Sequence, residues 1–239
     1  MSKIFTASRA GLTEVDGSAR LTAGNTTVMV SVTGPIEPKI RQELPTQASL
    51  EIIVRPSRGV STTREKVLED FLRGVLQSVI VRYKYPRQLI QIVVQFLATD
   101  VDLSGSVAVS GDTSKSGAHF SANELCAALN CSYFALIDAN ISLYNSFVAA
   151  SLAVDAAGAI ATDPSLPELQ ASSSHHVVCF DVREKKASKI LLVESNGAFD
   201  DDTLVSVVET ASSYCESVHG AVQRPFVEKA VGEDFVWAS

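Results

Sequence analysis

The chain has 239 residues, 46% of them hydrophobic, with a formal charge of −7 and four cysteines. No apolar run approaches the ~20 residues a membrane helix needs, and the start lacks a basic-then-apolar leader, so a soluble, intracellular protein is expected. Net acidity argues against a freestanding nucleic-acid binder, since phosphate binding draws on clustered Lys and Arg, and Cys126, Cys131, Cys179 and Cys215 lack zinc spacing and are expected to be reduced core residues.

Gly17 to Thr33 predicts a β-hairpin turning at Gly24-Asn25, with Val28, Val30 and Val32 alternating after the turn. A strand follows over about Leu50 to Arg55. Thr62 to Arg82 then takes helical spacing, with Val67, Phe71, Val75 and Ile80 joined by Leu68, Leu72, Leu76 and Val79. Pro86 blocks further helix, and the apolar run from Gln88 to Thr99 predicts a strand covered on both faces. From Val101 to Ala118 the chain is rich in Gly, Ser and Asp and is expected to be a flexible loop. A second helix is predicted over Ala122 to Ala139. Strands follow near Phe147 to Asp155, Val177 to Arg183 and Lys189 to Glu194, and a last helix over about Asp201 to Gln223 opens with acids that suit the helix dipole.

The charge is uneven. Between Arg55 and Arg87 eight basic residues face three acids, a local balance of +5 that leaves −12 for the rest. Arg58, Arg64 and Lys66, around the strand-to-helix junction, are the candidate phosphate contacts for RNA.

Gly17-Ser18 through Gly24-Asn25-Thr26 to Val32, then Val32-Thr33-Gly34-Pro35-Ile36-Glu37-Pro38, Arg41-Gln42-Glu43-Leu44-Pro45-Thr46, the block from Thr62 to Asp70, and Ala135-Leu136-Ile137-Asp138-Ala139 together resemble the RNase PH family. Within that family they are similar to the ring subunits of the eukaryotic RNA exosome. The resemblance implies one domain over residues 1–239 with an α+β fold, RNase PH-like (ribosomal protein S5 domain 2-like), in which mixed sheets pack with helices. It also implies a left-handed βαβ crossover, where generic reasoning gives the right hand in about 98% of cases. The loop at 101–118 departs from the family, being longer than its usual connection.

Active members of the family degrade RNA by phosphorolysis, which needs a cationic cradle for phosphate and a positioned acid. The phosphate motif is a Gly-Gly-Thr-Arg-like run at the start of the second long helix, where free N–H groups attract an anion. Gapless matching places Ala122, Asn123, Glu124 and Leu125 there, so leucine replaces the arginine. Ser121-Ala122-Asn123-Glu124 also reads as a capping box that would occupy the donors an anion needs. The first member of the family's acidic pair falls on Asp163, read as a turn residue, and the second on Leu169; Glu168 would substitute only after a register shift.

A degenerate site is therefore expected. Its phosphate half is Ser121, Asn123, Glu124 and Leu125, and its acid half is Asp163 and Leu169, with no catalytic residue, metal or cofactor. His175 and His176 point to opposite faces of a strand and cannot easily share a metal, and Asp138 is read as a surface or capping residue. The resemblance implies a non-catalytic ring subunit that helps form an RNA channel. Its implied partners are other RNase PH-like subunits, S1/KH cap subunits, a separate catalytic ribonuclease and RNA, in nucleus, nucleolus and cytoplasm. The alternative is a phosphate-dependent 3′–5′ exoribonuclease completed by a partner.

Overall fold

The computed structural model describes residues 5–99 and 113–233, with the side chains of 113–121 outside that description. Strands β1 (Thr6–Arg9), β2 (Gly17–Ala23), β3 (Thr26–Ile36), β4 (Ser49–Arg55) and β5 (Leu89–Ala98) form one sheet in the order β1-β2-β3-β5-β4. Neighbours run antiparallel except β4 and β5, which are parallel and joined through helix α1 (Thr63–Val79). Strands β6 (Ser146–Val154), β7 (Ile160–Thr162), β8 (Ser174–Arg183) and β9 (Lys186–Gly197) form a second, antiparallel sheet in the order β7-β6-β8-β9.

Period two decides the first sheet. Val28, Val30 and Val32 of β3 stand opposite Phe96, Val94 and Ile92 of β5, and Ile52 and Val54 of β4 continue that face into the core. The other face of β5 carries Gln91, Val93 and Gln95, only half-buried, so β5 is covered on one face rather than on both as its apolar run suggested. The doubly covered strand is β6, where every residue from Phe147 to Val154 is buried.

Helices α1 and α2 (Thr113–Asp138) lie between the sheets, and α4 (Asp201–Val218) covers the far side of the second. In α2 the helical stripe disappears: Leu125, Leu129, Phe134 and Leu136 are buried, but so are Ala127, Ala128, Cys131 and Ala135 between them. A helix apolar all round is one enclosed on all sides, and the small residues let both sheets approach. Gly17 marks the closest approach, since a Cβ there would collide with the backbone of Ala135 and Ala139. Asp138 fastens the same junction, accepting from the Ser18 N–H at 2.9 Å and pairing with Arg9 at 2.6 Å.

Several boundaries differ from expectation. Helix α2 begins at Thr113, so residues 113–118 are helical rather than loop; 100–112 lie outside the described residues. Helix α1 stops at Val79 because Ile80 turns extended and bridges to Leu143. Its buried stripe is Leu68, Leu72, Val75, Leu76 and Val79, with Val67 in solvent. Beyond α4 a π turn over His219–Gln223 leads into α5 (Arg224–Glu233), which extends past the expected end. Pro225 has no N–H to continue the ladder, and the π turn absorbs the break.

Candidate functional site

The site is assembled on the free edge of β6. Strand β7 pairs only with Leu152 to Val154, which leaves the backbone groups of Phe147, Ala149 and Ser151 to find other partners. Gln223 Nε2 donates to the Phe147 carbonyl at 2.8 Å. Asn130 of α2 meets both groups of Ala149, its Nδ2 donating to the carbonyl and its Oδ1 accepting from the N–H, each at 2.9 Å. The Ser151 carbonyl accepts from the N–H of Asp163 at 3.0 Å. These bonds bring α2, β6 and the turn after β7 around one cavity.

That cavity measures about 190 Å³ and is lined by the hairpin turn at Gly24 and Asn25, by Asn123, Cys126 and Asn130 of α2, and by Ser151 and Asp163. Asp163 adopts φ +50, a left-handed conformation that Asp and Asn tolerate better than most residues. Its carboxylate accepts a short hydrogen bond from the Tyr214 hydroxyl. Asn123 donates to the Pro164 carbonyl at 3.0 Å and accepts from Ser151 Oγ at 2.9 Å, linking α2 to the same turn. Asn123 and Asp163, matched to different halves of the family site, thus share one cavity.

The remaining matched positions are elsewhere. Leu125 and Leu169 are fully buried in the packing and line no cavity with Asp163. Glu124, one residue on from Asn123, turns away and pairs with Arg64 of α1 at 2.7 Å, its side chain only 2% exposed. Arg58, Arg64 and Glu124 line a separate depression of about 230 Å³. The capping-box expectation for Ser121 and Glu124 is overturned, because Ser121 sits inside α2, past the helix start at Thr113, and needs no cap. The side chain of Ser121 lies outside the described residues.

The three candidate RNA contacts part company. Arg64 neutralises Glu124; Lys66 pairs with Glu69 at 2.8 Å, while Glu69 also accepts from the Val54 N–H at 3.1 Å. Arg58 makes no ion pair among the described residues. Glu168 does not substitute for a lost acid, since it closes the capping box of helix α3 (Leu166–Ala171), accepting from Ser165 N and Oγ at 2.7 Å. Those bonds hold its carboxyl below the usual carboxylate range. His175 and His176 are both buried in β8, and His176 is bridged by Ser174 Oγ at 3.0 Å and Ser195 Oγ at 2.7 Å, with burial lowering its pKa.

None of the described residues lining the cavity around Asp163 is basic, Asp163 is an acid, and burial pushes the Cys126 thiol well up, keeping it neutral. The chemistry left is hydrogen bonding through amides and hydroxyls.

Residues 5–142 match the model of the RNase PH family, described as "3' exoribonuclease family, domain 1". The chain belongs to this family. Over 216 residues it is 42% identical to the Exosome complex component RRP46 of Saccharomyces cerevisiae, covering 89% of this chain and 91% of that protein. The Exosome complex component rrp46 of Schizosaccharomyces pombe is 29% identical over 211 residues, 87% of this chain and 82% of the relative. Among solved structures, that of rice (Oryza sativa) Rrp46 superposes with a TM-score of 0.75 at 25% identity, over 92% of this chain and 93% of that one. RNase PH membership fits the two sheets around α1 and α2.

Proposed function

We propose that this chain is a non-catalytic subunit of an exosome ring, contributing wall and contacts to an RNA path while another protein cuts the RNA. The observation that carries the reading is the position of Leu125: the residue matched to the phosphate-binding arginine is a fully buried leucine, and no described residue around Asp163 is basic. Phosphorolysis brings phosphate to a phosphodiester, so two anions meet. Without a cation that step lacks the electrostatic stabilisation that usually dominates catalysis. Losing a positioned acid at Leu169 adds a factor on the order of 10²- to 10⁴-fold.

The names of the yeast relatives support the assembly half of the proposal. The partners are other RNase PH-like subunits, S1/KH cap subunits and a separate catalytic ribonuclease, with RNA passing between them, and the sites of action are nucleus, nucleolus and cytoplasm. Arg58 is the member of the original basic trio left to reach an RNA phosphate.

Incubating the purified chain with 3′-tailed RNA, phosphate and magnesium is expected to release no nucleoside diphosphate above background. Release that disappears in the Asp163→Asn variant would establish the phosphorolytic reading instead. Co-expression with RNase PH-like ring subunits of the same organism is expected to give a stable complex by native mass spectrometry. A chain that stays monomeric throughout contradicts the ring role.

A further inference from the structure

The basic segment from Arg55 to Arg87 is divided by α1, whose 17 residues set its two ends roughly 25 Å apart. At the N-terminal end Arg64 and Lys66 each face a carboxylate. The C-terminal end differs. A 3-10 turn over Arg82–Lys84 carries two cations that pair with no carboxylate among the described residues; Lys84 Nζ donates to Ser142 Oγ at 2.7 Å. Arg87, further on, is held by Glu43.

Two aromatic side chains stand in the same place. Tyr83 is 67% and Tyr144 54% exposed, their ring centroids 6.3 Å apart and their planes tilted by 48°. The backbone beneath them is fixed. Val81 N–H donates to the Ser142 carbonyl and Tyr144 N–H to the Val79 carbonyl, both at 2.9 Å, and the Tyr85 hydroxyl donates to Ser142 Oγ and accepts from Ser142 N–H, both at 3.1 Å. Solvated rings on a rigid base contribute little to folding but lose little entropy on capturing a flat ligand. Next to Tyr144, Asn145 Nδ2 donates to the Asp181 carboxylate at 3.0 Å.

We propose that Tyr83 and Tyr144, with Arg82 and Lys84 beside them, form a stacking platform for single-stranded RNA at the C-terminal end of α1. Exposed aromatics stack on any base and cations track the phosphates, a pairing that suits single strands without sequence preference. In a chain of net charge −7, a local patch of unneutralised cations and bare rings matches a polyanion with π-faces better than it matches an apolar protein surface. The platform rests on the ring-subunit reading for the supply of RNA, though not for its own geometry.

The test uses the full chain, alone and in a reconstituted ring, with a labelled oligouridine and its 5-iodouridine version for photocrosslinking. Tyr83→Ala combined with Tyr144→Ala is expected to weaken binding at least about fivefold with the salt slope kept. The Phe pair should bind like the parent, and crosslinks should map to Tyr83 or Tyr144. Arg82→Ala with Lys84→Ala is expected to flatten the salt dependence by about 1.4 slope units. Unchanged affinity in the double Ala variant, crosslinks confined to other peptides, or loss of ring entry in that variant, which would make the patch a protein contact, each overturns the proposal. If the unaltered chain enters no ring, the assembly reading fails, while binding and crosslinking to the isolated chain still decide the platform.

Discussion

Glu124 is a carboxylate nearly out of reach of solvent, and a guanidinium from another helix, that of Arg64, pairs with it. A buried pair adds little by itself, because desolvating both ions offsets their attraction, yet removing one partner leaves an uncompensated charge. Arg64→Ala is therefore expected to lower stability by about 2–4 kcal/mol, discounted from the fully buried case because Arg64 is 29% exposed. Arg64→Met with Glu124→Leu should recover most of that loss. Urea midpoints of the parent, single and double variants check this, and an Arg64→Ala midpoint equal to the parent's would show that Glu124 is stabilised elsewhere. The sequence alone sets Leu125 where the resemblance implies an arginine, since identity suffices for that match. It does not display that Glu124 faces Arg64, because only the packing of α1 against α2 joins positions so far apart in the chain.

At the scale of elements, the pattern Ser/Thr-x-x-Glu occurs at Thr62–Glu65, Ser121–Glu124, Ser165–Glu168, Ser206–Glu209 and Ser213–Glu216, and the structure caps a helix with the first and third while the other copies lie within helices. The motif is local, whereas a helix start depends on what precedes it; α2 continues upstream of Ser121, and α4 upstream of Ser206 and Ser213, so those copies have no free end to cap. Ser165-Leu-Pro-Glu168, with proline in the first turn, was the readable signal for α3. Strongly periodic segments such as β3 and α1 were legible, whereas β1 and β7, four and three residues long, have no pattern of their own and exist because a neighbour pairs with them. At Thr62 the cap is reciprocal, with Glu65 accepting from Thr62 N and Oγ at 2.6 Å. Burial pulls the Glu65 carboxyl upward, but the Thr62 bonds, its own backbone N–H and the Arg64 charge together outweigh it and hold the group below its ordinary value. A lowered carboxyl stabilises the fold above its unfolded pKa, and this contribution is lost as pH falls through the folded value. Thr62→Ala should cost about 0.5–2 kcal/mol near neutrality and less in acid, where Glu65 is protonated in both states. Thermal midpoints at the two pH values check it; an equal cost at both would remove the carboxylate from the account.

Across the whole molecule the four thiols report on how dry the core is. Cys131 lies in α2 against the Ala19 carbonyl of β2, 3.4 Å from it; Cys126 of α2 approaches the Ala149 carbonyl of β6 at 3.3 Å, and Cys215 of α4 reaches the Val148 carbonyl at 3.6 Å. Together with Cys179 of β8 they sample both sheets and both of their helical covers, and all four are buried and free. Burial pushes every one upward, Cys131 and Cys215 to about 12, with Asp163 adding to the rise at Cys126 and Cys215. A thiol raised on folding lends stability that is complete below its unfolded pKa, near 8.5, and is lost as pH climbs towards the folded value. Stability should hold level to about pH 8 and then decline up to about pH 12, helped by Tyr133, whose hydroxyl burial also raises. At about pH 10.5 Cys131 alone should account for roughly 2–3 kcal/mol of the decline. Replacing it with alanine, which leaves a small void but no ionisable group, should lower the urea midpoint at pH 7 yet make the loss between pH 7 and 10.5 smaller than in the parent. Equal losses in both proteins would mean that Cys131 is wetted in the folded state, and that the enclosure of α2 by two sheets is looser than its side-chain packing shows.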